Sequence, residues 1–194
     1  KVPKSKLKIG YISPDFKEHP MMRFLIPTLT HHNHNKFEIF AFAELENEDK
    51  VSQEYKSCVD HWIRTDGMND DELAQKIREM GIDILVDVAG HTTNNRLTVF
   101  AQKPAPVSLS WWTGYGYTTG LSAIDYFLTN EAMAPKGSEH LFSEKLWKLI
   151  HPEVWDPGKN NLGQVSNLPV LSKGFITFGT LTRTIRINDR VIKA

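Results

Sequence analysis

The sequence predicts an α/β protein: a mostly parallel sheet flanked by helices. Two observations carry that prediction. The run Ile82-Asp83-Ile84-Leu85-Val86-Asp87-Val88 is too apolar for a strand with one face in water, and reads as one covered on both faces. Strand-like runs also alternate with helical patterns, and the unit of strand, small polar loop and helix occurs at residues 7–31 and again at 82–100.

Taken in order, Leu7 to Ser13 is the first strand and Ser13 to Pro20 the loop after it. A helix then runs from Met21 or Met22 to about His31, with Pro27 predicting a kink or an early break. Phe37 to Ala43 is the second strand, Ser52 to Cys58 a short helix, and His61 to Arg64 a third strand. Asn69-Asp70-Asp71-Glu72 opens a helix with acids in its first turn, where they suit the helix dipole. Leu73, Ile77 and Met80 supply its buried face and Gly81 ends it. After the strand at 82–88 come a short helix from Asn95 to Phe100 and a strand from Val107 to Trp112. Another buried strand follows from Ile124 to Thr129, and then a loop with a helical turn at Ser143-Glu144. Lys145 to Ile150 is an edge strand.

From Pro152 the composition shifts to Pro, Gly, Asn and Ser, and residues 152–171 read as a linker after a first domain of residues 1–151. Phe175 to Thr180 then reads as a strand and Ile187-Asn188-Asp189 as a helix start, so residues 172–194 are expected to begin a second, truncated domain. A strand and helix without neighbours leave apolar surface open, which predicts self-association there.

The 194 residues are 40% hydrophobic and 24% charged, with Lys+Arg and Asp+Glu both at 23. The balance gives no sign of a nucleic-acid or membrane-surface partner. No stretch approaches the roughly 20 apolar residues of a membrane span, and the basic start lacks the apolar core of a secretory signal. The single cysteine, Cys58, points to a reducing compartment and a cytoplasmic protein, and nothing beside it activates it as a nucleophile.

In open α/β sheets ligands bind at the carboxyl edge. Two loops there draw notice, Ala89-Gly90-His91-Thr92-Thr93 and Gly114-Tyr115-Gly116-Tyr117-Thr118-Thr119-Gly120, although spacing alone is equally compatible with ordinary turns. His19 stands just before Pro20 at the entry to the first helix, whose free N–H groups suit a phosphate or carboxylate. His31, His32 and His34 lack Cys or carboxylate partners at ligand spacing and read as a solvated turn, so no metal site is expected. No G-x-G-x-x-G loop follows the first strand, which argues against a free-standing flavodoxin-like enzyme.

Taken together the motifs resemble the O-GlcNAc transferase (Spindly-like) family, from about residue 7 to the end. The segments that carry the resemblance are Ile9 to Phe16 with His19-Pro20, Ile82 to Thr92 with Arg96-Leu97 and Phe100-Ala101, and Pro104 to Val107. Trp112 to Tyr115, Thr118 to Gly120, Asp125-Tyr126, and Phe178 to Ile187 continue it. Bacterial relatives carry tetratricopeptide repeats ahead of this region.

The resemblance implies the N-terminal, Rossmann-like half of a double-Rossmann glycosyltransferase. It also implies transfer of N-acetylglucosamine from UDP-GlcNAc to a protein side chain, without a metal or other cofactor. The partners would be a nucleotide-sugar and a protein or peptide acceptor. By this resemblance His19 lies at the active site with His61 close to it, and Gly90, His91, Thr92, Gly114 and Tyr115 line the donor side. Arg186 falls where the family carries a Lys that meets the diphosphate, and Arg183 where it carries Gln or Asn; Arg for Lys keeps the charge but makes it a planar fork. Gly114-Tyr115-Gly116-Tyr117 departs from the family's G-Y-P-G. The chain itself is expected to be an inactive part, and the rival expectation is a non-catalytic binding or scaffold module of the same descent.

Overall fold

The computed structural model describes residues 6–111, 117–150, 163–182 and 184–193. The chain divides into two compact units, residues 1–158 and 159–194. In the first, the strands are β1 (Leu7–Ser13), β2 (Phe37–Ala43), β3 (His61–Arg64), β4 (Ile84–Asp87), β5 (Val107–Ser110), β6 (Tyr126–Thr129) and β7 (Lys145–Lys148). They form one sheet in the order β3-β2-β1-β4-β5-β6-β7, with every neighbouring pair parallel. The fold is the expected Rossmann-like α/β class.

Helices α1 (Met22–Thr30) and α2 (Lys50–Ser57) pack on one face, where Leu25, Leu29 and Tyr55 meet Ile39 and Val86. Helices α3 (Asp70–Met80) and α4 (Leu97–Ala101) pack on the other, where Leu73, Ile77 and Phe100 meet Phe42 and Leu85. The caps explain where two of them start. Asn69 and Glu72 close a reciprocal capping box on α3, and Gly81 ends it at φ 66°. Asp49 and Ser52 form a second box, so α2 begins two residues before the position that apolar spacing predicts. Pro27 removes one helical N–H, yet α1 runs on to Thr30 because fully buried Leu25 and Leu29 hold it to the sheet on either side. The predicted turn at Ser143-Glu144 is displaced to a 3₁₀ turn at Glu139–Leu141.

Gly10 shows how tightly the centre is built. A Cβ there would lie 2.8 Å from the Phe42 ring and 3.1 Å from Leu85 Cδ1, so the strand packs beside these two side chains only without a side chain of its own.

The second unit differs from expectation. A helix, α5 (Pro169–Lys173), occupies the end of the predicted linker, and Phe175 to Thr180 form no strand. Among the described residues nothing pairs with that segment, and an isolated apolar strand has no ladder to join. A 3₁₀ turn (Thr184–Arg186) and α6 (Asp189–Lys193) follow.

Candidate active site

The strand order reverses between β1 and β4. The chain leaves β1 for α1 on one face and leaves β4 for α4 on the other, so the loops after these two strands part and open a crevice at the carboxyl edge. His19 stands in the first loop, and Gly90, His91 and Thr92 stand in the second. The topology brings these four residues to one edge of the sheet.

The first loop is pinned at both ends. The buried Ser13 hydroxyl accepts the Asp15 N–H at 3.0 Å, and the Asp49 carboxylate accepts the Glu18 N–H at 2.7 Å while also capping α2. That backbone bond heads the influences that hold the Asp49 carboxyl below the usual range. His19 Nδ1 lies 3.3 Å from the Met21 N–H and 3.6 Å from Asp15 Oδ2. Burial raises the Asp15 carboxyl, partly offset by the charges of His19 and Lys17.

The second loop is organised by Asp87, which apolar patterning had marked only as part of a strand. Its carboxylate is fully buried and accepts the Ala89 N–H (3.1 Å), the Gly90 N–H (3.1 Å) and the Ser110 hydroxyl (2.7 Å). Burial pushes this carboxyl upward against those three bonds. Gly90 takes φ 53°, a left-handed conformation that suits glycine, and Thr92 folds back onto the Ala89 carbonyl at 2.8 Å. His91 reaches the Thr118 carbonyl from Nε2 at 3.3 Å, so the loops after β4 and β5 are tied as neighbours. Buried Glu144 anchors the latter loop, accepting the Thr119 N–H and the Thr118 hydroxyl at 2.7 Å each, and the Thr119 hydroxyl as well.

Arg96 locks the remaining rim. Its guanidinium meets Glu44 at 2.8 Å and Asp70 at 2.7 Å, and donates to the Met68 carbonyl at 2.9 Å, joining the ends of β2, β3 and β4. Burial opposes its charge, but Asp70 and Glu44 outweigh it and raise its pKa. Alongside lies a polar cleft of about 470 Å³ whose lining includes Lys17, Glu44, Asp49 and Asn94.

The structure does not bring His61 to His19. His61 opens β3 at the amino edge, level with Phe40 and Gly10, three residues short of the carboxyl edge. There it stacks on Phe40 with centroids 4.2 Å apart and meets Glu38 at 2.7 Å. Arg186 lies exposed in the second unit. Gly114, Tyr115 and Arg183 lie outside the described residues. The three neighbouring histidines each have their own partner: Pro27 O for His31, the Tyr11 hydroxyl for His32 and Asp60 for His34. Among the described residues no group of three or more His, Cys, Asp or Glu could hold a metal ion, and no helix is long and apolar enough to cross a membrane.

A parallel sheet with its crevice at the switch point defines a Rossmann-like α/β scaffold, and comparison with known proteins narrows it. The family model for glycosyl transferase family 41 matches residues 1–154. The chain is 34% identical to the probable UDP-N-acetylglucosamine–peptide N-acetylglucosaminyltransferase SPINDLY of Arabidopsis thaliana and 32% identical to that of Solanum lycopersicum. Both matches cover 100% of this chain but 21% of the relative. A solved structure, the K341M mutant of Thermobaculum terrenum O-GlcNAc transferase, superposes with TM-score 0.75 at 32% identity, over 79% of this chain and 30% of that one. The chain belongs to glycosyltransferase family 41. It spans about a fifth of the length of the curated relatives it matches.

Proposed function

We propose that this chain is the N-terminal catalytic half of a glycosyltransferase that moves N-acetylglucosamine from UDP-GlcNAc to a protein side chain. The observation that carries the proposal is the convergence of His19 and Gly90-His91-Thr92 on the two loops that flank the switch point. His19 acts at the acceptor, receiving or orienting the proton of its hydroxyl, as a ring nitrogen that can accept or donate a hydrogen bond is able to do. The Gly90 loop, held rigid by Asp87, lines the donor-sugar side. Transfer is metal-independent, and the charge of the leaving diphosphate falls to Arg186 and Arg183 together with helix N-termini. The relatives' names, which specify UDP-N-acetylglucosamine and peptide, support this choice of donor and acceptor. Residues 1–194 are inactive by themselves, because they span only about a fifth of the length of the relatives named for the transfer.

Calorimetric titration of UDP, GDP and their sugar conjugates into this chain and into the longer parent polypeptide tests the proposal. Tight binding of UDP-GlcNAc by the parent, lost in the chain, is expected. Absence of binding to either would favour a scaffold module derived from the same family.

A further inference from the structure

Two groups compete for one ring nitrogen of His19, and they demand opposite protonation states. The Met21 N–H, 3.3 Å away, donates only to a bare Nδ1. The Asp15 carboxylate, 3.6 Å away, accepts only from an Nδ1 that carries hydrogen. In the first case the neutral ring holds its proton on Nε2 and serves as a donor. In the second, the lone pair is on Nε2 and the ring serves as a base.

The balance turns on what each partner loses. The Asp15 side chain is only 14% exposed, and no N–H or O–H among the described residues donates to its oxygens within hydrogen-bond distance. An ionised carboxylate in that position is strongly unfavourable unless a donor reaches it. A charge-assisted hydrogen bond is also roughly twice as strong as a neutral one. The neighbours do not meet the need: Lys17 acts on Asp15 only through its field, and the buried Tyr55 hydroxyl, which feels the Asp15 charge, makes no hydrogen bond among the described residues. The turn closed by the Ser13 hydroxyl holds the backbone from which Asp15 projects.

We propose that Asp15 is the positioning residue for His19: it takes the Nδ1 hydrogen and leaves Nε2 free to accept a proton. The inference rests on the reading of His19 as the group acting at the acceptor. It makes the Met21 amide the partner of the alternative, donor form.

The test is to label the histidines of the full 194-residue chain with ¹⁵N and read long-range ¹H–¹⁵N correlations near pH 8, above the ordinary histidine value of about 6.5. The His19 signal is assigned from its loss in His19→Gln. Expected is a hydrogen on Nδ1 and a bare Nε2 in the native chain, reversing in Asp15→Ala. Asp15→Asn, which keeps the shape and offers a weaker neutral acceptor, gives a mixture of the two forms and serves where Asp15→Ala fails to fold. A native chain with its hydrogen on Nε2, or a tautomer unmoved by both substitutions, overturns the proposal. The readout needs neither donor nor acceptor, so its failure is distinct from failure of the transferase reading, which the nucleotide titrations decide.

Discussion

Two Phe-bearing segments that both read as strands meet opposite fates. Phe37 to Ala43 forms the second strand, with Ile39, Phe40, Ala41, Phe42 and Ala43 all buried. Phe175 to Thr180 forms no strand, with Phe175 59%, Ile176 70% and Phe178 92% exposed. The first has a paired strand on each side and helices on both faces. The second has none of these among the described residues. The difference teaches that a β-strand is a property of its neighbours: backbone N–H and C=O groups need a ladder, and apolar side chains need something to pack against.

Truncating one phenylalanine in each segment tests that difference most directly. Phe42→Ala leaves a cavity under α3 and should cost about 3–5 kcal/mol, whereas Phe178→Ala should fall within about 0.5 kcal/mol of the parent. Urea denaturation of the two variants measures both, and equal losses would sink the comparison.

A smaller effect tests how close the packing is in the favoured segment. Gly10→Ala places a methyl group against Phe42 at 2.8 Å, and overpacking of that kind costs about 1–3 kcal/mol. An unchanged thermal midpoint would mean that the ring simply moves aside.

Asp49→Ala removes the α2 cap and the Glu18 tether together, with an expected loss of about 1 kcal/mol from the cap. Because the folded Asp49 carboxyl is held below its usual value, the native contribution is present above the unfolded carboxylate pKa. It fades as pH falls through the folded one. The gap between native and variant stability should therefore narrow on acidification.

The smallest effect has the opposite sign. Burial raises the Asp87 carboxyl, so at neutral pH the ionised form weighs against the fold. An Asn at this position keeps an acceptor for the Ala89 and Gly90 N–H groups without the charge. Asp87→Asn should be neutral to stabilising near pH 7, and the advantage should shrink as pH falls through the raised value and the native carboxyl takes up its proton. An advantage that grows on acidification would contradict the burial argument.

Much of the first unit was legible in the sequence because its signals are local. The bounds of β1, β2 and β3 follow from short apolar runs, and α3 from its capping residues and Gly81. Part of the site was legible too: His19 and Gly90 to Thr92 stand out as polar residues just after apolar strands. Asp87, Arg96 and Glu144 were not recognised as organisers of that edge. Their partners, at Ser110, Glu44 and Thr119, lie 23 to 52 residues away in the chain, and no periodicity reports a contact of that range. Asp87 carried the one available signal: with Asp83 it is one of two carboxylates inside a run otherwise fit for full burial.

By itself the sequence determined the succession of strands and helices in the first unit, the parallel class of the sheet and the membership of the family, because periodicity, caps and motifs are written along the chain. The tertiary structure alone decided which side chains share a neighbourhood. It put His61 at the amino edge, where parallel register sets it level with Gly10, and turned His19 toward Asp15 and Met21. It also left Phe175 to Thr180 without a ladder, because strand pairing is settled by neighbours distant in sequence and not by the residues of the strand.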